Sequence, residues 1–116
     1  MTKVVLDTNV LMMVFQFQVD LEGELIRLLG AVEIIVPDSC VRELSGLSDR
    51  KAKAALMLAQ RFKVMPAKGK GDDAVLGLAK ELSAVLVTND AQLRKRAKSE
   101  GLKVAHMRGR DHLALE

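Results

Sequence analysis

The chain has 116 residues, 49% of them apolar and 28% charged, which suits one globular domain and excludes disordered or two-domain organisation. No apolar run approaches the ~18 residues needed to span a bilayer, and Lys3 and Asp7 flank too short an apolar stretch for a secretory signal. The sequence therefore reads as cytoplasmic, with no membrane partner. One cysteine, Cys40, and two histidines rule out an internal disulfide and any Cys/His zinc site, so a bound metal must rely on oxygen ligands.

Along the chain, Val4-Val5-Leu6 predicts a buried strand that ends at Asp7-Thr8-Asn9, where a helix starts. Asp20 is placed to cap a helix carrying Leu21, Leu25, Ile26, Leu28 and Leu29, stopped by Gly30. Val32 to Val36 predicts a second strand closed by Pro37. Asp38 and Ser39 are then expected to cap a helix ending at Gly46. Ser48-Asp49 opens a helix with Ala52, Ala55, Leu56 and Ala59 at helical spacing, and Phe62, Val64 and Met65 predict a short strand. Residues 66–71 have loop composition. Asp72-Asp73 starts a helix through Leu82, and Ala84 to Val87 is the clearest buried strand, ending at Thr88-Asn89-Asp90 before a basic helix that runs to Gly101. Val104-Ala105 predicts a last short strand. The expected organisation is one domain over residues 1–107 and a flexible tail over 108–116. Alternating strands and helices predict the α/β class, a parallel sheet with helices on both faces and functional groups beyond the carboxyl ends of its strands.

The net charge of +3 hides an uneven distribution. Residues 1–49 carry three basic groups against eight acids, whereas residues 50–116 carry fifteen against seven. One basic block runs from Arg50 to Gly71 without a single acid and includes Lys68 and Lys70; a second contains Arg94, Lys95 and Arg96. Such blocks attract phosphate backbones. Three phenylalanines, with no Tyr or Trp, leave little for base stacking, so the expected contacts are electrostatic.

Four acids stand near predicted strand ends: Asp7, Glu43, Asp73 and Asp90. Each alone is explained as a helix cap or a helix-dipole partner. Together in one crevice they would repel one another, and a hard divalent cation, Mg²⁺ or Mn²⁺, resolves the repulsion. A carboxylate-held metal beside basic surfaces suits phosphodiester hydrolysis without a histidine or cysteine nucleophile.

The segments "VVLDTNVLM" (4–12), "VPDSCVREL" (36–44), "GDDAVLGLAKE" (71–81) and "VLVTNDAQLRKR" (85–96) resemble, in order and spacing, the acidic motifs of the PIN-domain endoribonucleases. The likeness covers residues 3 to about 107 and is greatest to the archaeal and eukaryotic branch that processes small-subunit rRNA. It implies a sheet of about five parallel strands and a metal-dependent endoribonuclease acting on single-stranded RNA, working as a homodimer or larger oligomer or with a protein partner. Asp7, Glu43, Asp73 and Asp90 map onto the family's metal-binding catalytic acids, with Thr8, Asn9, Asp72 and Thr88 in support. Asp73 rather than Asp72 is chosen because it directly precedes a small and an aliphatic residue, Ala74-Val75. Two other roles are open: a toxin-type PIN nuclease, and a non-catalytic RNA-binding scaffold whose acids only cap helices.

Overall fold

A computed structural model describes all residues, 1–116. The strands are β1 (Thr2–Leu6), β2 (Val32–Pro37), β3 (Lys63–Met65), β4 (Val85–Val87), β5 (Val104–Arg108) and β6 (His112–Leu115). The helices are α1 (Thr8–Phe17), α2 (Leu21–Leu29), α3 (Asp38–Ser45), α4 (Arg50–Ala59), α5 (Gly71–Leu82) and α6 (Ala91–Ser99). No helix is long and apolar enough to cross a membrane.

The six strands form one sheet in the order β3-β2-β1-β4-β5-β6. All neighbours run parallel except β5 and β6. From β1 the chain steps outward through β2 to β3, then returns across the sheet to β4 on the other side of β1 and continues to β5. Because parallel crossovers are right-handed, this reversal sends the helices of the two halves to opposite faces. It also makes the carboxyl ends of β1 and β4 the switch point of the sheet, where open α/β folds place their ligands.

The apolar runs read from the sequence form the centre of the core. Val4, Val5, Leu6, Ile35, Val36, Leu86 and Val87 are buried, and Val10 and Leu11 of α1 belong to the same apolar cluster. Helix starts follow local chemistry. The Asp7 carboxylate accepts the Thr8 N–H, Asp20 accepts from Gly23, and Asp49 accepts from Lys51. Helix α3 differs from expectation, since Pro37 occupies its cap position and neither Asp38 nor Ser39 caps it. The Asp38 carboxylate instead accepts the Ala67 N–H at 3.1 Å and pairs with Arg42 at 3.2 Å, and both hold it below the usual aspartate range.

The end of the chain requires a correction. Residues 108–116 are not a loose tail: Gly109 turns the chain with φ of 64°, and β6 pairs antiparallel with β5 from Arg108↔His112 to Ala105↔Leu115. Leu113 is fully buried, and its backbone is held from α2 by the Glu24 carboxylate and the Arg27 guanidinium. The sheet therefore has five parallel strands and one antiparallel edge strand.

Candidate active site

At the switch point lies a crevice of about 270 Å³ lined by Asp7, Thr8, Asn9, Met12, Ser39, Cys40, Glu43, Gly71, Asp72, Val75 and Asp90. No lysine or arginine is among its walls. A larger hollow of about 690 Å³ sits at the opposite, amino end of the strands, lined by Lys80 and Glu100, which pair at 2.8 Å, and by Lys103, with no cluster of acids. Chemistry is expected at the first of these.

Asp7 occupies the floor and is the most enclosed acid, 8% exposed. Its Oδ1 accepts the Thr8 N–H at 2.8 Å; its Oδ2 accepts the Thr88 hydroxyl at 2.7 Å and the Asn9 amide at 3.1 Å. Three donors hold this carboxylate in one orientation. Thr88, fully buried just beyond β4, also accepts the Asp90 N–H at 3.1 Å. Asn9 bridges the other way, its Oδ1 accepting the Asn89 N–H at 3.1 Å. The ends of β1 and β4 are thus tied together through side chains.

Asp90 caps α6 with Oδ1, which accepts the N–H groups of Gln92 and Leu93. Capping and site duty therefore coexist in Asp7 and Asp90. Glu43 stands on α3 one turn beyond Ser39, and both reach the crevice, as i and i+4 on one helix face must.

In the acidic pair, the lining position belongs to Asp72. Asp73 lies outside the crevice, its side chain 76% exposed and paired with Arg96 at 2.9 Å. Desolvation, then the negative charges of Asp90 and Asp7, push the Asp72 carboxyl above its ordinary value. Asp72, Asp90 and Asp7 thus form one electrostatic cluster. Of the acids expected from sequence, the structure brings together Asp7, Glu43 and Asp90, exchanges Asp73 for Asp72, and keeps Thr8 and Asn9 at the wall with Thr88 behind it.

The crevice presents carboxylate and hydroxyl oxygens, and two buried hydroxyls of its lining residues, Thr8 Oγ1 and Ser39 Oγ, have no partner. That chemistry fits a hard, hydrated divalent cation. No three of the Asp, Glu and Cys side chains stand close enough to form a ready-made ligand set, so water would complete the coordination of such an ion. Cys40 adds no soft ligand, because burial, and then Asp7 and Glu43, push its thiol up to about 11.

The basic residues divide. Lys68, Lys70 and Lys95 are exposed and form no ion pair. Arg94 is turned inward, its Nε on Glu116 at 2.7 Å and its Nη1 on the Thr88 carbonyl at 3.3 Å, while Arg96 holds Asp73. Both arginines are engaged within the protein rather than free for phosphate. One residue that sequence reasoning passed over is Asn89, whose side chain bonds both backbone groups of Met107 and whose own N–H donates to Asn9 Oδ1.

A doubly wound sheet with acids gathered at its switch point matches the PIN-like domain family over residues 4–110, and the chain belongs to that family. Ribonuclease VapC9 of Archaeoglobus fulgidus is 32% identical over 111 residues, covering 90% of this chain and 82% of that protein. The PIN domain endonuclease Utp24 superposes with a TM-score of 0.85 at 25% identity, over 98% of this chain and 90% of that one. A domain of a functionally unknown protein from Methanocaldococcus jannaschii shares the fold, with a TM-score of 0.65 and 20% identity over 94% and 93% of the two chains.

Proposed function

We propose that this protein is a Mg²⁺- or Mn²⁺-dependent endoribonuclease that hydrolyses phosphodiester bonds of single-stranded RNA. The observation that carries the reading is the crevice itself: Asp7, Asp72, Asp90 and Glu43 line it, burial and the charges of Asp90 and Asp7 push the Asp72 carboxyl up, and no basic side chain stands in the wall. Asp7, Asp72, Asp90 and Glu43 are the candidates for holding the ion. When bound, the ion supplies a hydroxide nucleophile at neutral pH and neutralises charge on the attacked phosphate.

The protein's own residues supply orientation. Thr88 and Asn9 donate to Asp7 Oδ2 and fix its plane, while the Thr8 N–H fixes Oδ1. Lys70 immediately precedes the crevice-lining Gly71, so Lys68 and Lys70 would draw the RNA backbone across the mouth, with the exposed Lys95 of α6 a further phosphate contact. Asp72 takes the metal role in this reading in place of Asp73, which pairs with Arg96 on α6 at an exposed position.

The likeness to Utp24 along nearly the whole of both chains supports RNA processing, including rRNA maturation, as the biological role. The relationship to VapC9 supports the toxin role, which predicts growth arrest when the chain is produced in a host. The deciding experiment for the chemistry is cleavage of labelled single-stranded RNA with Mn²⁺ by the native chain and by Asp7→Asn. Cleavage by the native chain that is lost in the variant is expected. RNA binding with no metal-dependent cleavage by the native chain would replace the enzyme with a scaffold.

A further inference from the structure

We infer that Asn89 is a positioning residue whose side-chain amide takes the place of the last rung between β4 and β5 and so sets where Asp90 stands in the crevice. The inference rests on the nuclease reading only for its catalytic consequence; the geometry stands by itself. Where β4 and β5 pair, Leu86↔Val104 and Val87↔Ala105, the Leu86 N–H goes to the Lys103 carbonyl and the Thr88 N–H to the Ala105 carbonyl. In a parallel ladder the same strand residue also receives a bond from two residues further along its neighbour. The next rung would therefore carry the Met107 N–H to the Thr88 carbonyl.

That rung is missing. The Met107 N–H donates instead to Asn89 Oδ1 at 2.7 Å, and Asn89 Nδ2 returns a longer bond of 3.4 Å to the Met107 carbonyl. A carboxamide has the donor and acceptor of a peptide group, so the Asn89 side chain imitates the missing backbone segment. The substitution frees the real backbone to leave the sheet one residue early. The Thr88 carbonyl turns to Arg94, the Asn89 N–H turns to Asn9, and the Asp90 N–H reaches Thr88 Oγ1. These three bonds carry residue 90 toward Asp7. Had the ladder continued, Thr88 and Asn89 would have remained extended and Asp90 would have stayed above β4. Alanine at this position has no acceptor for the Met107 N–H. Aspartate keeps that acceptor, exchanges the weaker return bond for a carboxylate oxygen facing the Met107 carbonyl, and adds one negative charge beside Asp90.

The test uses the full chain and three readouts: amide hydrogen exchange at Met107 without metal, Mn²⁺ affinity by calorimetry, and the kcat and KM of RNA cleavage. In Asn89→Ala, Met107 protection is expected to collapse, Mn²⁺ affinity to weaken by roughly 10- to 100-fold, and kcat to fall with KM for RNA unchanged. Asn89→Asp should retain the Met107 protection and lie much nearer the native protein in affinity. Leu25→Ala, in the core at α2 away from the crevice, controls for destabilisation and should leave Mn²⁺ affinity unchanged below its melting temperature. Asn89→Ala that loses Met107 protection yet binds Mn²⁺ as tightly as the native chain overturns the inference, as does Asn89→Asp that keeps protection but binds as poorly as the alanine variant. A native chain that binds Mn²⁺ but cuts no RNA, with Asn89→Ala still weakened, removes the nuclease reading and leaves Asn89 in its role.

Discussion

Replacing Asp72 and Asp73 one at a time by asparagine separates two neighbouring carboxylates that have opposite environments. A ligand that binds only the folded chain stabilises it by RT ln(1 + [L]/Kd), about 2.7 kcal/mol when Mn²⁺ is at a hundredfold excess over its dissociation constant. A domain of this size has an unfolding entropy of about 0.24 kcal/mol per kelvin, so the native melting temperature should rise by about 11 °C. If losing the Asp72 ligand weakens Mn²⁺ by about 100-fold, the same concentration adds only about 0.4 kcal/mol, or about 2 °C. Asp73→Asn breaks an exposed pair with Arg96 that is worth at most about 1 kcal/mol, lowering melting by no more than about 4 °C and leaving the Mn²⁺ shift intact. In chelator the order reverses. The Asp72 pKa is raised in the folded chain, so the fold binds the proton more tightly than the unfolded chain does. Its contribution is favourable at low pH and is lost as pH rises from the ordinary value of 3.8 through the raised one. Asp72→Asn removes that loss, so without metal it should melt above Asp73→Asn at neutral pH. Both variants give up the same helix-dipole attraction at the start of α5, so the comparison cancels it. The assay is circular-dichroism melting of the three chains in chelator and in Mn²⁺. A Mn²⁺ shift that vanishes in Asp73→Asn and survives in Asp72→Asn would refute the placement of Asp72 in the metal site.

Other outcomes follow from the same geometry. Asp7→Asn should abolish cleavage and lower stability even in chelator by about 1–3 kcal/mol, because either orientation of the amide points its NH₂ at a donor now bound by Asp7; melting without metal reads it. Lys68→Ala and Lys70→Ala should each reduce the salt dependence of single-stranded RNA binding by roughly 0.7 in log–log slope, measured by titration at several ionic strengths. Arg94→Ala, by contrast, should leave that slope unchanged and lower the melting temperature, since its guanidinium serves the Thr88 carbonyl and Glu116. Cys40, buried and with its thiol pushed up to about 11, should resist thiol reagents at pH 8 until the chain unfolds, as timed alkylation in and out of denaturant will register.

Much of this arrangement was legible in the residues. An aspartate directly after Val4-Val5-Leu6 had to be paired or hydrogen-bonded, and three donors meet it. The choice within Asp72-Asp73 was legible too, by helical phase. Asp73, Gly77 and Lys80 share an exposed face at i, i+4 and i+7, whereas Asp72, Val75 and Ala79 share the face turned to the crevice and sheet. Motif likeness to Ala74-Val75 pointed to Asp73, which lies outside the crevice, because it ignores that phase. Strand β6 was harder to foresee, since four residues, His112 to Leu115, carry little periodic signal and their pairing depends on the turn at Gly109. The inward turn of Arg94 could not be read at all. Its partners lie 6 and 22 positions away, and a basic helix looks the same whether its cations face water or a neighbouring carboxylate.

Strand β1 has bonded neighbours on both sides, one of them β4, and the Thr88 hydroxyl that orients Asp7 comes from a residue 81 positions later in the chain. During synthesis, then, the first acid emerges long before the groups that hold it. Sheet closure at β1 must wait until β4 is available, and the loop-closure entropy of so distant a pairing places the fold among slow, non-local topologies. A nascent chain halted before Val85 would carry Asp7 and the β4-facing edge of β1 unpaired, without Thr88 or Asp90 to complete the crevice. Assembly of the acids thus acts as a completeness check: the charge cluster exists only in a chain that has finished folding.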